Sequence, residues 1–354
     1  MLKKAAAAVS VCLSIATWIA CGSTSSHFVY AAIPAANQVQ VYREDPNSGV
    51  LTALSGSPFA AGPAAQSIVV HPSKKFLYVA NAGENDISLF TISSANALTE
   101  VTPRPAAGTT PVLLTMDAAG AFLYVANAGS NNISVFSINS TSGALTQITG
   151  SPFPIGFIPL NMKLTPSGSF LYVSGAAFSG VVQAFSVSAG VLTPNVPGSP
   201  FTTGTNPYGL AIDPSGAYLY VANLSDNSIS EFTIGSDGAL TAISGSPLGE
   251  SFSAPVALLV DPSGKYLYVA NEGSSNVAAY TIGSGGSLTI LSNSPFASGS
   301  QPNSMAADPS GKYLLVGSQS GGIQVFTLNT TNGTLTSVAT YSAGNTPTSI
   351  VVTQ

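Results

Sequence analysis

The stretch Phe76-Leu-Tyr-Val-Ala-Asn81 decides the fold, because close copies of it recur along the chain. The other copies also begin with an aromatic residue and continue as a short apolar run: Phe28 to Ile33, Phe122 to Asn127, Phe170 to Gly175, Tyr218 to Asn223, Tyr266 to Asn271 and Tyr313 to Ser318. Successive copies lie 46 to 48 residues apart, which gives seven units. Units of this length are typical of β-propeller blades.

Each unit has the pattern of four short strands. An apolar run such as Leu258-Leu-Val260 comes first, followed by the turn Asp261-Pro-Ser-Gly264 and the aromatic word. An alternating strand such as Ile133-Ser-Val-Phe-Ser-Ile138 is third, and a segment ending in Gly-Ser-Pro-Phe is fourth. Alternation with period two and turn residues at every break favour strands over helices. The prediction is an all-β, seven-bladed propeller with four strands per blade.

The two ends of the chain predict how the ring closes. Residues 28 to 33 form a second strand with no first strand before it, whereas residues 347 to 353 form a first strand with no second strand after it. Together they complete one blade. We therefore expect the C-terminal strand to pair with the N-terminal blade, which leaves only short blade edges exposed.

The N-terminus has the pattern of an export signal. Lys3 and Lys4 precede the apolar stretch from Ala5 to Ala20, which is short for a membrane span. Trp18-Ile-Ala-Cys21 resembles the lipobox of bacterial lipoproteins, although Trp18 stands where an aliphatic residue is usual. The predicted organisation is a signal peptide over 1–20, a tether over 21–27 and the propeller over 28–354. Lipidation of Cys21 would anchor an exported protein in the periplasm or at the cell surface. The alternative is that Cys21 belongs to an apolar region that is cleaved elsewhere.

Composition limits the partners. Charged residues make up only 6% of the chain and apolar residues 45%. With Lys3 and Lys4 removed, seven basic and fourteen acidic side chains remain, a net charge of −7. No basic patch is present to neutralise phosphates, so nucleic acid is not expected as a partner. Contact with a membrane is expected only through the lipid anchor, and no cofactor is expected.

The repeats carry a family resemblance. The Tyr-Val-Ala-Asn words, the turns such as Asp261-Pro-Ser-Gly-Lys-Tyr266 and the tails such as Gly143 to Phe153 resemble the lactonase family of seven-bladed propellers. That family includes the propeller-type 6-phosphogluconolactonases and grades into the Tyr-Val-Thr-Asn repeat proteins of microbial surfaces. The resemblance extends from about residue 28 to the end, and it indicates the fold more specifically than the chemistry.

The residues that carry chemistry in the family's enzymes are largely replaced. In those enzymes an Arg and His open inner strands, and an Asn-Glu pair ends a second strand. The Arg positions here hold Gln66, Val112, Leu160, Tyr208, Val256, Asn303 and Thr348. The His positions hold Ser67, Leu113, Asn161, Gly209, Ala257, Ser304 and Ser349. Only Asn271-Glu272 matches, and the resemblance makes Glu272 a candidate catalytic base.

Other candidate chemistry is sparse. His71 replaces the Asp of the Asp-Pro turns, which indicates a turn cap rather than a catalytic group, and His27 lies in the predicted tether. The two histidines and the isolated turn aspartates, including Asp308, lack metal-ligand spacing, so no metal site is predicted.

Acidic residues gather in two sets of loops that we expect on one face of the ring, called the loop face: those after the Tyr-Leu-Tyr-Val strands and those after Gly-Ser-Pro-Phe. The acids are Glu84, Asp86, Asp226, Glu250 and Glu272. This face is either a solvated rim or a shallow site for a polar small molecule or a protein. The predicted ligand-binding residues are Asn271, Glu84, Asp86, Asp226, Glu250, Asn161 and Tyr208.

Two functions remain open from the sequence. The first is a cell-envelope propeller that binds a ligand or acts as a scaffold without catalysis, which the absence of Arg and His at the family positions favours. The alternative is a lactone hydrolase of the 6-phosphogluconolactonase type, acting in carbohydrate metabolism through Glu272.

Overall fold

The computed structural model describes residues 26–176, 180–249 and 251–353. Antiparallel sheets of four or five strands form seven blades around a central channel. This confirms the predicted seven-bladed propeller. The only helical element in these residues is one 3₁₀ turn, Pro34–Ala36. No helix long and apolar enough to cross a membrane occurs within the described ranges.

Numbered in chain order, the first three blades have the following strands. Blade I contains β1 His27–Ile33, β2 Gln38–Glu44, β3 Leu51–Ala53, β4 Phe59–Ala60 and, from the end of the chain, β33 Ser349–Thr353. Blade II contains β5 Ala65–Val70, β6 Phe76–Asn81, β7 Asp86–Ile92 and β8 Leu98–Val101. Blade III contains β9 Pro111–Met116, β10 Phe122–Asn127, β11 Asn132–Ile138, β12 Leu145–Gln147 and β13 Phe153–Pro154.

The remaining four blades follow the same order from the channel outward. Blade IV contains β14 Ile158–Leu164, β15 Phe170–Ala176, β16 Val181–Ser188, β17 Val191–Thr193 and β18 Phe201–Thr202. Blade V contains β19 Pro207–Ile212, β20 Tyr218–Asn223, β21 Ser228–Ile234, β22 Leu240–Ala242 and β23 Leu248–Gly249. Blade VI contains β24 Pro255–Val260, β25 Tyr266–Asn271, β26 Asn276–Ile282, β27 Leu288–Ile290 and β28 Phe296–Ala297. Blade VII contains β29 Pro302–Ala307, β30 Tyr313–Ser318, β31 Gly322–Leu328 and β32 Leu335–Ser342.

The predicted closure of the ring is confirmed. β33 is the inner strand of blade I and pairs antiparallel with β1, with Phe28 opposite Thr353 and Ala32 opposite Ser349. The Thr348 hydroxyl also donates to the Gln66 carbonyl of blade II at 2.7 Å. The two ends of the chain therefore share one sheet, and that sheet is bonded to the next blade.

The repeated turns bend the chain between the first and second strands of a blade. In blade VI, the Asp261 carboxylate accepts hydrogen bonds from the backbone N–H groups of Ser263 at 3.0 Å and Tyr266 at 2.8 Å. Gly264 has a φ of +72°, a conformation that glycine adopts without steric cost. Local hydrogen bonds of the aspartate thus hold this turn, and Asp213 and Asp308 make the same bonds in the turns of blades V and VII.

The core lies between neighbouring blades. Tyrosines of the second strands are buried, and four of them donate through their hydroxyls to a glycine carbonyl in the next blade: Tyr78, Tyr172, Tyr220 and Tyr268. Such bonds measure 2.7 Å from Tyr78 to Gly143 and 2.8 Å from Tyr220 to Gly286. A buried hydroxyl needs a partner, so each tyrosine both fills the interface and fixes the next blade against its own.

The structure begins its first strand at His27, which the sequence analysis assigned to the tether. The side chain of His27 is buried, with 3% of its surface exposed. The predicted signal peptide and lipidation site, Cys21, lie outside the described residues.

Candidate functional site

The inner strands of all seven blades surround a central channel of about 610 Å³. Its walls combine apolar side chains with neutral polar ones. The polar groups include Gln66, Asn161, Tyr208 and Asn303. Cavities of this size and mixed character are typical of small-molecule sites.

β-bulges shape the mouth of the channel. In six blades the inner strand carries extra residues near its start, as shown by the register shifts between Ala65 and Ser67 in β5 and between Pro159 and Asn161 in β14. A bulge re-aims the side chain at the inserted position. The residues at or within these insertions line the channel: Gln66, Val112, Leu160, Tyr208, Val256 and Asn303. They are the residues that sequence analysis placed at the Arg positions of the lactonase enzymes.

Lys163 is the only charged side chain among the described residues that line the channel. It lies near the end of β14 that leads into the turn at 165–168, away from the loop face. The Lys163 side chain is exposed to the channel, where the surrounding protein limits its contact with bulk water, and this desolvation lowers the pKa of Lys163. Lys163 was not among the residues predicted to form a site. Its position two residues after Asn161 on the same inner strand is the signal that could have revealed it.

Glu272 is placed close to Tyr208 at the loop face. The Glu272 carboxylate accepts a hydrogen bond of 2.8 Å from the side-chain amide of Gln319 in the next blade. Burial raises the pKa of Tyr208, and the negative charge of Glu272 adds to the shift. The phenol of Tyr208 therefore stays protonated and available as a donor at neutral pH. The structure brings together a carboxylate and a neutral hydrogen-bond donor.

Asn271 lies beneath the loop face rather than on it. Its side chain is fully buried, and its amide donates to Asn276 at 3.0 Å. The equivalent Asn127 donates to Asn132 at 2.8 Å and also accepts from the Gly108 backbone at 3.1 Å. Because the same bond occurs in another blade, the structure gives Asn271 a role in holding the loop that follows its strand.

The two loop sets do lie together on one face. The backbone N–H of Ala82 donates to Ala64 at 3.0 Å, and that of Glu272 donates to Ala254 at 2.8 Å. Each bond joins a loop after a second strand to a loop that enters an inner strand. Glu84, Asp86, Asp226 and Glu272 thus belong to loops on one rim.

Arg104 neutralises part of the acidic rim. Its guanidinium donates to Glu84 at 2.8 Å and to Glu100 at 2.7 Å, and it lies 3.8 Å from Asp86. The hydrogen bond to Glu100 is the main cause that raises the pKa of Arg104. These contacts of Arg104 with the acids were not predicted from the sequence. The rim near blade II therefore carries less free negative charge than the sequence indicates.

The two remaining acids predicted for the rim are Asp226 and Glu250. The Asp226 carboxylate accepts a backbone hydrogen bond of 2.5 Å from Thr205, which fixes the loop that enters β19. Glu250 lies outside the described residues.

Comparison with known proteins identifies the family. The sequence matches the family described as "Lactonase, 7-bladed beta-propeller" over residues 55–155, 159–253 and 248–352. This chain belongs to the lactonase family. No curated protein matches the sequence.

Solved structures share the fold of this lactonase-family propeller at low sequence identity. A Bacteroides fragilis protein described as a "putative 6-phosphogluconolactonase" is 21% identical with a TM-score of 0.82, and the match covers 94% of this chain and 99% of that one. The Pseudomonas aeruginosa periplasmic gluconolactonase PpgL is 16% identical with a TM-score of 0.75, covering 93% and 99%. A Lactobacillus plantarum protein is 19% identical with a TM-score of 0.79, covering 93% and 99%.

No Arg or His occurs among the described residues that line the channel of this lactonase-family propeller. Lactone opening needs a base and a group that stabilises the oxyanion, and a phosphorylated lactone also needs positive charge. Glu272 and Tyr208 offer the first two groups. The described channel lining offers one cation, Lys163, on the far side from Glu272.

Proposed function

We propose that this lactonase-family propeller is a non-catalytic binding module of the cell envelope, and that it holds a small polar ligand at the loop-face mouth of its channel. This proposal is supported by the side chains that line the channel at the β-bulges. There, Gln66 and Asn303 provide amide groups and Tyr208 a phenol, while Val112 and Val256 are apolar. This mixture suits a ligand with hydroxyl groups and an apolar face.

The charge distribution favours a neutral ligand at this mouth. The acidic rim at Asp226 and Glu272 disfavours a phosphate group through like-charge repulsion. Lys163 lies farther inside and suits a single acidic or carbonyl group that reaches down the channel. Sugars and sugar acids have this chemistry.

Hydrolysis of a lactone is the second candidate. The placement of Glu272 beside the protonated phenol of Tyr208 favours it, since a base and an oxyanion donor meet there. Several similar structures also carry lactonase names. This alternative predicts activity on an unphosphorylated lactone in preference to a phosphorylated one.

The experiment compares binding with turnover in the purified protein. Opening of D-glucono-1,5-lactone and of 6-phosphogluconolactone is followed for the unmodified chain, Glu272→Gln, Tyr208→Phe and the rim control Glu84→Gln. We expect no acceleration above the spontaneous rate in any of them. Acceleration that is lost in the first two variants and kept in Glu84→Gln would establish the hydrolase instead.

Binding is tested with D-glucose and D-gluconate as probes in thermal-shift measurements. We expect a rise in melting temperature that is smaller in Tyr208→Ala and unchanged in Glu84→Gln. Equal responses of the two variants would place binding elsewhere than the channel mouth.

The envelope location depends on Cys21. A thioether-linked lipid on this residue would hold the propeller at a membrane surface, and Cys21→Ser would release it into the soluble fraction. A membrane-bound fraction that the substitution leaves unaltered would refute the anchor. Ala20→Ser keeps the cysteine and serves as the control.

A further inference from the structure

Three ionisable side chains meet at the seam where the ring closes, between blade I and blade VII. His27 is the first residue of β1, and Glu44 is the last residue of β2, directly opposite it in the strand pairing. Asp308 lies in the turn between β29 and β30 of blade VII. This seam cluster is far from the channel mouth and takes no part in the proposed function.

The seam cluster is removed from solvent. The exposed fraction is 3% for His27 and 0% for both Glu44 and Asp308. His27 Nδ1 lies 3.3 Å from Glu44 Oε2 and 3.4 Å from Asp308 Oδ2. The ligand atoms of all three side chains lie within 4.8 Å of one another.

Hydrogen bonds between the three residues do not account for the seam cluster. His27 Nδ1 and both carboxylate oxygens of Glu44 lack a hydrogen-bond partner. One ring nitrogen carries at most one proton and cannot serve two acceptors, and charge-assisted bonds are shorter, about 2.7–2.9 Å. Buried polar atoms without partners are costly, so an arrangement of this kind calls for a ligand.

Electrostatics points to a positive ligand. Burial raises the pKa of Glu44 to about 8, and the neighbouring charge of Asp308 adds to this shift. A bound cation would displace the proton from Glu44, and the two carboxylates would then carry two negative charges. A divalent cation would balance both.

Turn formation explains Asp308 but leaves His27 and Glu44 unexplained. Asp308 accepts from the Tyr313 backbone at 2.7 Å, and Asp261 makes the same bond to Tyr266 at 2.8 Å in blade VI. Among the described residues, the only group of three or more possible metal ligands is the one at Asp308. The turn therefore forms without the histidine and glutamate, and their presence at the seam needs a separate cause.

We propose that His27, Glu44 and Asp308 bind a divalent transition-metal ion, with Zn²⁺ as the ion that fits best. Ligand atoms about 2.1 Å from Zn²⁺ at tetrahedral angles lie about 3.4 Å apart, close to the two distances from His27 Nδ1. A nitrogen ligand disfavours Ca²⁺ and Mg²⁺, which prefer oxygen. The fourth position suits a water molecule or the second oxygen of Glu44.

The proposed ion would link both ends of the chain. Two ligands come from the first two strands and the third from blade VII, so the site is complete only when the ring is closed. Metal affinity would then add to the stability of the closed ring, because ligands that meet only in the folded state couple binding to folding. The absence of metal-ligand spacing in the sequence follows from this arrangement.

The direct test measures Zn²⁺ bound to the full chain after treatment with a chelator and equilibrium dialysis. Four proteins are compared: the unmodified chain, Glu44→Gln, Asp308→Asn and the matched control Asp261→Asn, which alters an equivalent turn without the histidine and glutamate. We expect one tightly bound Zn²⁺ in the unmodified chain and in Asp261→Asn. We expect its loss in Glu44→Gln and Asp308→Asn. Any weak binding by Cys21 is common to all four and cancels in the comparison.

A second measurement keeps the proposal testable if a variant is less stable. Melting temperatures are recorded with Zn²⁺ and with chelator, and Zn²⁺ should raise the value for the unmodified chain and Asp261→Asn only. Replacement by Co²⁺ should give the visible absorption of a four-coordinate site. The proposal fails if the unmodified chain binds no Zn²⁺, or if Glu44→Gln binds it equally well. Either result would assign the seam cluster to an ion pair of protonated His27 with the two carboxyl groups.

Discussion

The hydroxyl of Tyr268 donates a 2.9 Å hydrogen bond to the carbonyl oxygen of Gly333, joining blade VI to blade VII. Because the tyrosine is fully buried, water does not compete for this hydrogen bond. The same contact recurs at Tyr78, Tyr172 and Tyr220, so one repeated bond joins four pairs of neighbouring blades.

We expect Tyr268→Phe to lower the free energy of unfolding by about 1–3 kcal/mol, since the Gly333 carbonyl loses its side-chain donor without a change in packing volume. Urea denaturation measures the difference. Tyr341→Phe is the control, because Tyr341 is half-buried and its hydroxyl has no hydrogen bond within the described structure. An equal loss in both variants would contradict the role of the inter-blade bond.

Gly333→Ala tests the same interface from the other side. A Cβ atom at Gly333 would lie 2.4 Å from the ring of Tyr266, whereas one at Gly344 would meet nothing within 4 Å. Both glycines have a φ of +74°, so Gly344→Ala reports the backbone strain alone, about 1–2 kcal/mol. Overpacking should cost Gly333→Ala roughly 1–3 kcal/mol more in denaturant melts. Similar losses at the two positions would show that Tyr266 can move aside.

Ile350→Ala tests the strand that closes the ring. Ile350 is 7% exposed in β33 and packs in the core between blades VII and I, so we expect a loss of about 2–5 kcal/mol in the free energy of unfolding. Ile290→Ala removes the same atoms from an outer strand where the side chain is 45% exposed, and should change stability by less than about 0.5 kcal/mol. Deletion of residues 347–354 should abolish the cooperative melt. A truncated chain that melts like the intact one would refute the closure by β33.

Stability without metal should fall as the pH rises. The pKa of Glu44 is about 8 in the folded chain and 4.5 as the model-compound value, so between these values the folded state holds a proton that the unfolded chain has lost. The contribution is fully present below about pH 4.5 and decreases by up to about 1.4 kcal/mol per pH unit until about pH 8. The side chains of His27, Asp308 and Tyr313 face Glu44, so Glu44→Gln, which leaves all three in place, is the reference.

Urea denaturation in chelator between pH 5 and 8 provides the measurement. The difference in unfolding free energy between the unmodified chain and Glu44→Gln should decline across this range. A constant difference would show that Glu44 is ionised throughout.

Lys163 should react with a limiting amount of an amine-specific acetylating reagent faster than Lys74 and Lys75 do. The lowered pKa leaves a larger share of the amine neutral near pH 7.5, and only the neutral amine is nucleophilic. Lys74 and Lys75 lie in an exposed turn and serve as internal controls in the same digest. If mass spectrometry finds Lys163 labelled no faster than these two, the channel does not depress its pKa.

The parts of the fold that sequence predicted correctly are those that repeat. The turn aspartate, the second-strand tyrosine and the turn glycine recur in most blades, so the signal for the ring occurs several times, and the incomplete first and last units predict the closure. Asn271 was predicted on the loop face because only its place in the chain was visible. Asn271 is buried because the loop that follows its strand packs against the loop that enters β24, and this contact joins separate segments of the chain.

The parts that sequence did not predict depend on contacts across blades. Arg104 meets Glu84 because neighbouring loops fold over the same rim, and nothing in their local sequences indicates this. Glu44 and Asp308 are brought together only by closure of the ring. The spacing of these residues in the sequence therefore does not predict their contact. His27 was assigned to a tether because it packs against blade VII, which lies far from it in the sequence.

The shared sheet of blade I also determines the order in which the molecule can be completed during synthesis. The side-chain amide of Gln40 donates to the Ala343 carbonyl, 303 residues away. Until residues 349–353 have left the ribosome, β1 has no inner neighbour, and its hydrogen-bonding edge is open to pairing with other chains. Contacts of such long range also slow folding. Assisted passage through a translocation machinery, or a holding chaperone, would protect this early strand until its partner arrives.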